Sequence, residues 1–157
     1  MCRLNAFLTF LAVVLSLGTA CAQPTKTLTG RILSDQLETV PRADICAQDT
    51  TVIGTTDMDG YFKIDVPANT NTLIFAFVGM ELTTVKLSTD CSTLEVILLL
   101  ASSYDFMSVR RVNRQEFKRF KHLPQIHQEA YEKGLFKSSA PCASPIFTKW
   151  VPRQPKR

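Results

Sequence analysis

The sequence has few of the residues that most enzymes use at their active sites. Only two of its 157 residues are histidines, His122 and His127. No serine–histidine arrangement, phosphate-binding glycine loop or zinc motif occurs along the chain. The two histidines lie five residues apart with Pro124 between them, whereas metal-binding pairs on one helix lie three or four residues apart. We therefore predict a protein that is not an enzyme, has no cofactor or metal site, and exposes both histidines at its surface.

The apolar run near the N-terminus is short. Residues 6–17 are apolar except for Thr9 and Ser16, about a dozen positions against the roughly 20 of a membrane-spanning helix. The run follows Arg3 and precedes the small residues 18–22, which is the three-part pattern of a secretory signal peptide. We expect residues 1–22 to be removed and the protein to be exported to the periplasm or the outer membrane.

Two processing routes remain open. The order Ala20-Cys21-Ala22 suits ordinary signal peptidase and would leave Gln23 as the new N-terminus. Alternatively, Cys21 would be the lipidated residue of a bacterial lipoprotein, although Gly18 stands where such signals carry leucine. We favour ordinary cleavage and keep the lipoprotein as the alternative.

Cysteines are few and widely spaced in the exported part of the chain. Cys46, Cys91 and Cys142 lie in its interior, and thiols outside the cytoplasm tend to pair. Three pairings are open, and the spacing does not choose among them. We favour a disulfide between Cys91 and Cys142, because it would join the C-terminal tail to the rest of the protein and leave Cys46 unpaired.

Acidic and basic residues are unevenly divided along the chain. Residues 23–104 hold five basic and ten acidic side chains, whereas residues 105–157 hold twelve basic and four acidic ones. This shift predicts two parts, an acidic body over 23–104 and a basic tail over 105–157. Because an exported protein rarely meets nucleic acid, we expect no nucleic-acid partner despite the net charge of +4.

Short strand-like segments bounded by turn residues dominate the acidic body. There are about seven of them: 28–33, 43–48, 52–56, 61–66, 73–78, 82–87 and 94–99. The segments 28–33, 43–48 and 61–66 alternate with a period of two. Residues 73–78 are almost wholly apolar, which predicts a central strand buried on both faces. Gly79 predicts a bend or bulge where a side chain would clash. With no helical pattern before Leu100, the body is expected to be an all-β sandwich.

A turn at residues 57–60 separates two of these segments. In Asp57-Met58-Asp59-Gly60 an aspartate side chain can cap its own backbone, and the glycine can take a positive φ. The two aspartates also resemble the start of a calcium loop. Such a loop needs a bidentate glutamate at its twelfth position, which here is Ala68. We therefore predict a turn and no calcium site.

The most recognisable pattern of the chain surrounds this turn. Residues 54–67 read Gly-Thr-Thr-Asp-Met-Asp-Gly-Tyr-Phe-Lys-Ile-Asp-Val-Pro, and an apolar segment ending in Val78-Gly79 follows them. With this pattern, residues 28–99 resemble the carboxypeptidase-regulatory-like domain of Bacteroidota envelope proteins and TonB-dependent receptors. The resemblance implies a seven-stranded transthyretin-like Greek-key β-sandwich. It also implies that Asp57, Asp59, Gly60 and Gly79 are the family's turn and bend positions.

Helical patterns appear only in the basic tail. Asn113 and Glu116 predict a capping box at the start of a short helix. Pro124 predicts an interruption, and a second short helix is expected at about residues 125–133, with a glycine as its C-terminal stop. Residues 138–157 are rich in proline and basic side chains, which predicts an extended or disordered end.

The first predicted helix contains a run of basic residues interleaved with apolar ones. Its six cations are Arg110, Arg111, Arg114, Lys118, Arg119 and Lys121. One interpretation is a helix that contacts an anionic membrane surface or a partner. The other is a solvated helix whose apolar residues cover one edge of the sandwich, in which case docking on the acidic body would satisfy both blocks of charge.

These observations favour a non-catalytic exported module that binds a protein or glycan of the cell envelope, with the basic run as its contact. One alternative is an accessory component of a TonB-dependent uptake system, which rests on analogy with receptors that carry the domain. A second alternative is a hydrolase on a transthyretin-like fold. For such an enzyme the resemblance implies an active site lined with His, Arg and Ser. The body contains no histidine.

Overall fold

The computed structural model describes residues 24–88, 90–149 and 151. The expected signal peptide, including Cys21, lies outside these residues. The described chain contains one helix, α1 (Val109–Glu132), and eight strands. The strands are β1 (Thr25–Ser34), β2 (Asp44–Cys46), β3 (Val52–Thr55), β4 (Tyr61–Pro67), β5 (Thr72–Ala76), β6 (Thr83–Leu87), β7 (Thr93–Leu98) and β8 (Ala143–Ile146).

Two sheets form a sandwich-like, mostly β structure. The first sheet has the order β4-β1-β7, with β1 antiparallel to β4 and parallel to β7. The second has the order β3-β2-β5-β6-β8 and is antiparallel throughout. The prediction of seven strands is therefore corrected to eight, because β8 forms inside the segment that was expected to be extended or disordered. Its four residues pair with β6, from Leu87 opposite Ala143 to Thr84 opposite Ile146.

The main core lies between the two sheets. Strand β4 alternates strictly, with Phe62, Ile64 and Val66 buried and the residues between them exposed. From the second sheet, Leu73 and Phe75 of β5 point into the same apolar cluster and are fully buried. This alternation is what a strand with one buried face requires.

A second core lies on the other face of the three-stranded sheet, beneath α1. Leu33, Ile97 and Leu99 from the sheet region pack with Leu123 and Ala130 of the helix. Strand β7 is consequently buried on both faces, because residues 94–98 are all buried.

The prediction of a doubly buried strand at residues 73–78 was wrong. In β5 only Leu73 and Phe75 are fully buried, whereas Ile74 and Ala76 remain partly exposed. Val78, beyond the end of the strand, is 92% exposed. Burial on both faces belongs to β7 because α1 packs on the first sheet, and the sequence of a single strand does not show which sheet a distant helix will cover.

Helix α1 is continuous, so the prediction of two helices separated at Pro124 was wrong. Proline removes one intrahelical hydrogen bond, but the helix packs on the second core on both sides of it, through Phe120 and Leu123 before it and Ile126 and Ala130 after it. This packing keeps the helix continuous.

The helix also starts earlier than the sequence suggested. Its N-cap is Ser108, and no side chain caps the first turn. Asn113, predicted to be a cap, lies inside the helix and donates its side-chain amide to the carbonyl of Val109 at 3.1 Å. The helix ends at Glu132, and Gly134 follows with a φ of +71°.

Cys91 and Cys142 form a disulfide, with their Cα atoms 5.6 Å apart. Cys91 lies just before β7 and Cys142 just before β8, so the bond joins the start of the eighth strand to the body. Cys46 on β2 is a free, buried thiol, and its pKa is raised, first by burial and then by the charges of Asp44 and Asp49.

Candidate functional site

The turn at residues 57–60 leads from β3 into β4 and is stabilised by its own side chains. The Asp57 carboxylate accepts the backbone N–H groups of Asp59 at 3.0 Å and Tyr61 at 2.8 Å. Gly60 has a φ of +79°, and a Cβ at this position would lie 2.6 Å from the carbonyl oxygen of Ile32. Asp57 therefore acts as the turn's acceptor, Asp59 is exposed, and Gly60 is needed for both its conformation and its close approach to β1.

Gly79 has a different role from the one its sequence position suggested. A Cβ at Gly79 would meet nothing within 4 Å, so the expected clash does not exist. Its φ is +81°, and the neighbouring Met80 N–H bonds the Phe77 carbonyl at 3.1 Å. The glycine is favoured here by the left-handed backbone of a turn and not by crowding.

Arg119 binds the strand region at four points. Its guanidinium lies 3.2 Å from the Asp35 carboxylate and 2.8 Å from the Glu81 carboxylate. It also donates to the carbonyl of Leu100 at 2.6 Å and to the hydroxyl of Ser102 at 2.8 Å. Burial raises the pKa of Glu81, and the Arg119 charge opposes this shift. Arg119 therefore attaches α1 to the acidic body and does not contribute to an exposed contact.

The other five cations of the basic run lie on one exposed side of α1. We call Arg110, Arg111, Arg114, Lys118 and Lys121 the outward cationic face. At about 100° per residue they fall within an arc of about 100°, roughly opposite the buried residues of the helix. None of the five forms an ion pair with any residue that the structure describes. The face is thus a patch of cations that the described fold does not neutralise.

An aromatic cluster supports the middle of α1. The ring of Phe117 lies 6.5 Å from that of Phe120, and both rings contact Phe147, at centroid distances of 5.1 and 5.4 Å. Lys121 places its ammonium 4.9 Å above the Phe117 ring. These contacts pack the side of α1 that carries Phe117 and Phe120 against Phe147, in the segment after β8. No helix among the described residues is long and apolar enough to span a membrane.

His127 is buried on the inner side of α1, so the prediction of a surface residue was wrong. Its ring is 4% exposed and lies 4.9 Å from the ring of Phe136. Its Nε2 atom lies 3.8 Å from the Glu95 carboxylate, a distance too long for a hydrogen bond. Burial lowers the pKa of His127, and the Glu95 charge opposes that shift. Glu95 in turn accepts the backbone N–H groups of Lys137 and Ser138.

The signal for this burial was present in the sequence. Leu123, His127 and Ala130 are spaced by four and three residues, which places them on one side of a helix. Because Pro124 was taken as a break, the histidine was not counted with the apolar residues on either side of it.

The cavity beside His127 and Glu95 is small. Its volume is about 60 Å³, and most of its lining is apolar, including Val85, Pro124 and Ala143. That volume holds a few water molecules at most. Within the described parts of the chain, no three His, Cys, Asp or Glu side chains come together in a way that could hold a metal ion.

Comparison with protein families identifies the domain family of the sandwich. The profile of the CarboxypepD_reg-like domain matches residues 28–109, which is more than half of the chain. The chain belongs to this family. The resemblance identified from the turn at 57–60 is confirmed. The match covers β1 from Leu28 onward and all of β2 to β7. It ends at the first residue of α1, so most of the helix and all of β8 lie beyond it.

Other comparisons add little. No curated protein matches the chain. Among solved structures, a chain of the cryo-EM structure of the E. coli P pilus tip assembly intermediate PapC-PapD-PapK-PapG in the second conformation is similar at 14% identity and a TM-score of 0.40. The similarity covers 54% of this chain and 11% of that one. A similarity this weak supports no statement about fold or function.

Proposed function

We propose that the chain is an exported, non-catalytic module of the bacterial cell envelope, built on a transthyretin-like Greek-key sandwich. It binds an anionic envelope component through the outward cationic face of α1. The observation that carries the proposal is the division of the basic run. Arg119 is used by the fold, whereas the other five cations are exposed on the opposite side of the helix and lack an ionic partner among the described residues.

The roles of the other polar groups support a non-catalytic function. The Asp57 carboxylate caps a turn, and the Glu95 carboxylate accepts two backbone N–H groups. Thr56 is buried, donates to the carbonyl of Val40 and accepts the N–H of Ala43. These side chains hold the backbone in place, and the two buried ones, Glu95 and Thr56, are costly to remove. A substrate would have to displace contacts on which the fold depends.

Fractionation of cells of the native host tests the proposed contact. The full chain with R110Q/R111Q/R114Q is expected to move from the envelope fraction to the soluble fraction, because three of the five unpaired cations are lost. K63Q/K86Q/K149Q removes the same charge from exposed sites elsewhere and is expected to stay with the envelope. Both variants also carry Cys21→Ala, so that no acyl chain can hold them in the envelope. Equal retention of the two variants would then contradict the proposal.

Intact mass of the protein recovered from the native host tests export. A start at Gln23 would indicate a released module and a start at Cys21 with added acyl mass a lipid-anchored one. Retention of Met1 would contradict export. Co-purification of a TonB-dependent receptor that depends on the outward cationic face would make the module an accessory part of an uptake system. Turnover of a substrate that one polar substitution abolishes would contradict the non-catalytic assignment.

A further inference from the structure

We infer that the anionic component is the phospholipid bilayer itself, and that the outward cationic face docks on its headgroups while Phe106 inserts between them. This inference rests on the proposed function and names its partner. It combines two features near the start of α1, the five cations without an ion pair among the described residues and the fully exposed ring of Phe106 just before the helix.

Phe106 has no packing role among the described residues. Its side chain is fully exposed, at 107% of its reference area, whereas Val112 in the first part of the helix is 2% exposed. Its backbone lies in the left-handed region, with a φ of +61°, which a bulky residue rarely adopts. Phe106 lies four residues before Arg110, so at most about 14 Å of backbone separates it from the first cation of the face. An aromatic ring beside cations suits the boundary between headgroups and hydrocarbon.

The first cations of the outward cationic face do not stabilise the helix that carries them. The first turn of α1 contains no acidic residue, although the positive end of the helix dipole favours one there. Arg110, Arg111 and Arg114 instead place three positive charges near that end. Their cost to the isolated helix indicates that they serve a contact outside it.

The shape and charge of the face favour a bilayer over a folded protein. From Arg110 to Lys121 the face is about 16 Å long, and Arg110, Arg111 and Arg114 surround an open, shallow depression. The nearest carboxylates in the sequence point elsewhere: Glu116 lies on the inner side of the helix, where burial raises its pKa, and Asp105 accepts a hydrogen bond from Ser103. A flat layer of phosphate groups satisfies flexible cations without a shaped pocket, whereas a protein partner needs a complementary surface.

Vesicle binding by the purified mature protein, residues 23–157, tests this inference. We expect binding to vesicles of phosphatidylcholine mixed with phosphatidylglycerol, no binding to phosphatidylcholine alone, and weaker binding at high salt. R110Q/R111Q/R114Q should weaken binding by about a hundredfold, at about fivefold for each cation. Phe106→Ser should weaken it by about tenfold, as expected for one apolar side chain withdrawn from the interface. K63Q/K86Q/K149Q is the control and should bind like the parent protein.

Fluorescence locates the inserted ring. The sequence has one tryptophan, so Phe106→Trp combined with Trp150→Phe leaves a single reporter at position 106. Its emission should shift to the blue and become quenched by lipids brominated in their acyl chains. Absence of that shift on bound vesicles would overturn the insertion of Phe106. Failure of the parent protein to bind the anionic vesicles would overturn the whole inference.

The two experiments distinguish failure of the lipid assignment from failure of the proposed function. If R110Q/R111Q/R114Q leaves the envelope in cells while the parent protein ignores purified lipid vesicles, the proposed function stands and the lipid assignment is wrong. A protein or glycan partner would then account for the contact. If the variant stays with the envelope, the proposed function fails whatever the vesicles show.

Discussion

Arg114 and Arg119 lie five residues apart in α1 and belong to the same basic run, but the fold uses only one of them. Arg119 pairs with Asp35 and Glu81, whereas Arg114 is exposed and has no ion pair with the described residues. At about 100° per residue the two side chains differ by about 140° around the helix. One helix therefore presents the cation that attaches it to the body and the exposed cations on different sides. The net charge of the tail does not show which of its cations the fold uses.

Among the contacts that attach the tail to the body, the disulfide should have the largest effect on the free energy of unfolding. Cys91→Ala with Cys142→Ala removes a bond across 51 residues, which is expected to lower the free energy of unfolding by about 4 kcal/mol by loop-closure entropy. Urea denaturation at neutral pH measures the change. Cys46→Ala, at the buried free thiol, is the control for loss of a cysteine and should cost about 1 kcal/mol. Equal losses would show that the bond does not secure the tail.

Truncation of a buried side chain on the inner side of α1 should have the next largest effect on the free energy of unfolding. Leu123 is 6% exposed in the core beneath the helix, and Leu123→Ala is expected to cost about 3 kcal/mol through lost burial and a cavity. Lys118→Ala, on the outward cationic face, should change the free energy of unfolding by less than about 0.5 kcal/mol. Comparable losses for the two variants would contradict the division of the helix into two sides.

The two arginines supply a closely matched pair. Arg119→Gln leaves Asp35 and Glu81 without their cation in a partly buried position, and it should cost about 1–2 kcal/mol after allowance for solvent screening. Arg114→Gln changes the charge equally and should have almost no effect on stability. Chemical denaturation of both variants checks this prediction, and a stable Arg119→Gln protein would remove the assigned anchor.

The smallest expected effect is the dependence of the free energy of unfolding on pH. Burial lowers the pKa of His127 in the folded protein, so between the ordinary histidine pKa of about 6.5 and the lower folded value the unfolded chain binds more protons. Stability should therefore fall as the pH is lowered through that range.

Urea midpoints at about pH 7 and about pH 5 measure the pH effect. His127→Gln should reduce the loss of stability on acidification, whereas His122→Gln, at the exposed histidine of the same helix, should keep it. The pKa of Glu81 is raised by burial, which gives a dependence of opposite sign above the ordinary glutamate pKa and is common to both variants. An unchanged pH dependence in His127→Gln would contradict the assignment.

Local patterns were sufficient to predict the strands and the turn of the body, but not which strand is buried on both faces. The alternation of Phe62, Ile64 and Val66 after Gly60 predicts a strand with one buried face, and β4 has that structure. The turn depends on bonds between residues close in sequence, and the alternation of the strand indicates one buried face even though its partner β1 lies about 30 to 40 residues away. The family assignment followed from the same stretch.

The tail could not be predicted in the same way, because its structure depends on distant residues. Pro124 favours a break by local rules, yet packing on the second core keeps α1 continuous. The short strand β8 contains Pro145 and shows no alternation, and it forms through pairing with β6 next to the Cys142 disulfide.

The candidate site was predictable only in part. Periodicity alone separates Arg119 from the outward cationic face. The partners of Arg119 could not be predicted, because Asp35 and Glu81 lie 84 and 38 residues away in sequence. The exposure of Phe106 likewise became visible only with the loop before α1 in place.

The most direct test of the central claim is the distribution of R110Q/R111Q/R114Q between envelope and soluble fractions, measured on protein whose free energy of unfolding is also known. The account predicts that this variant leaves the envelope while its free energy of unfolding stays within about 0.5 kcal/mol of the parent for each substitution. A variant that remains with the envelope at unchanged stability would show that the outward cationic face is a solvated surface and not a contact.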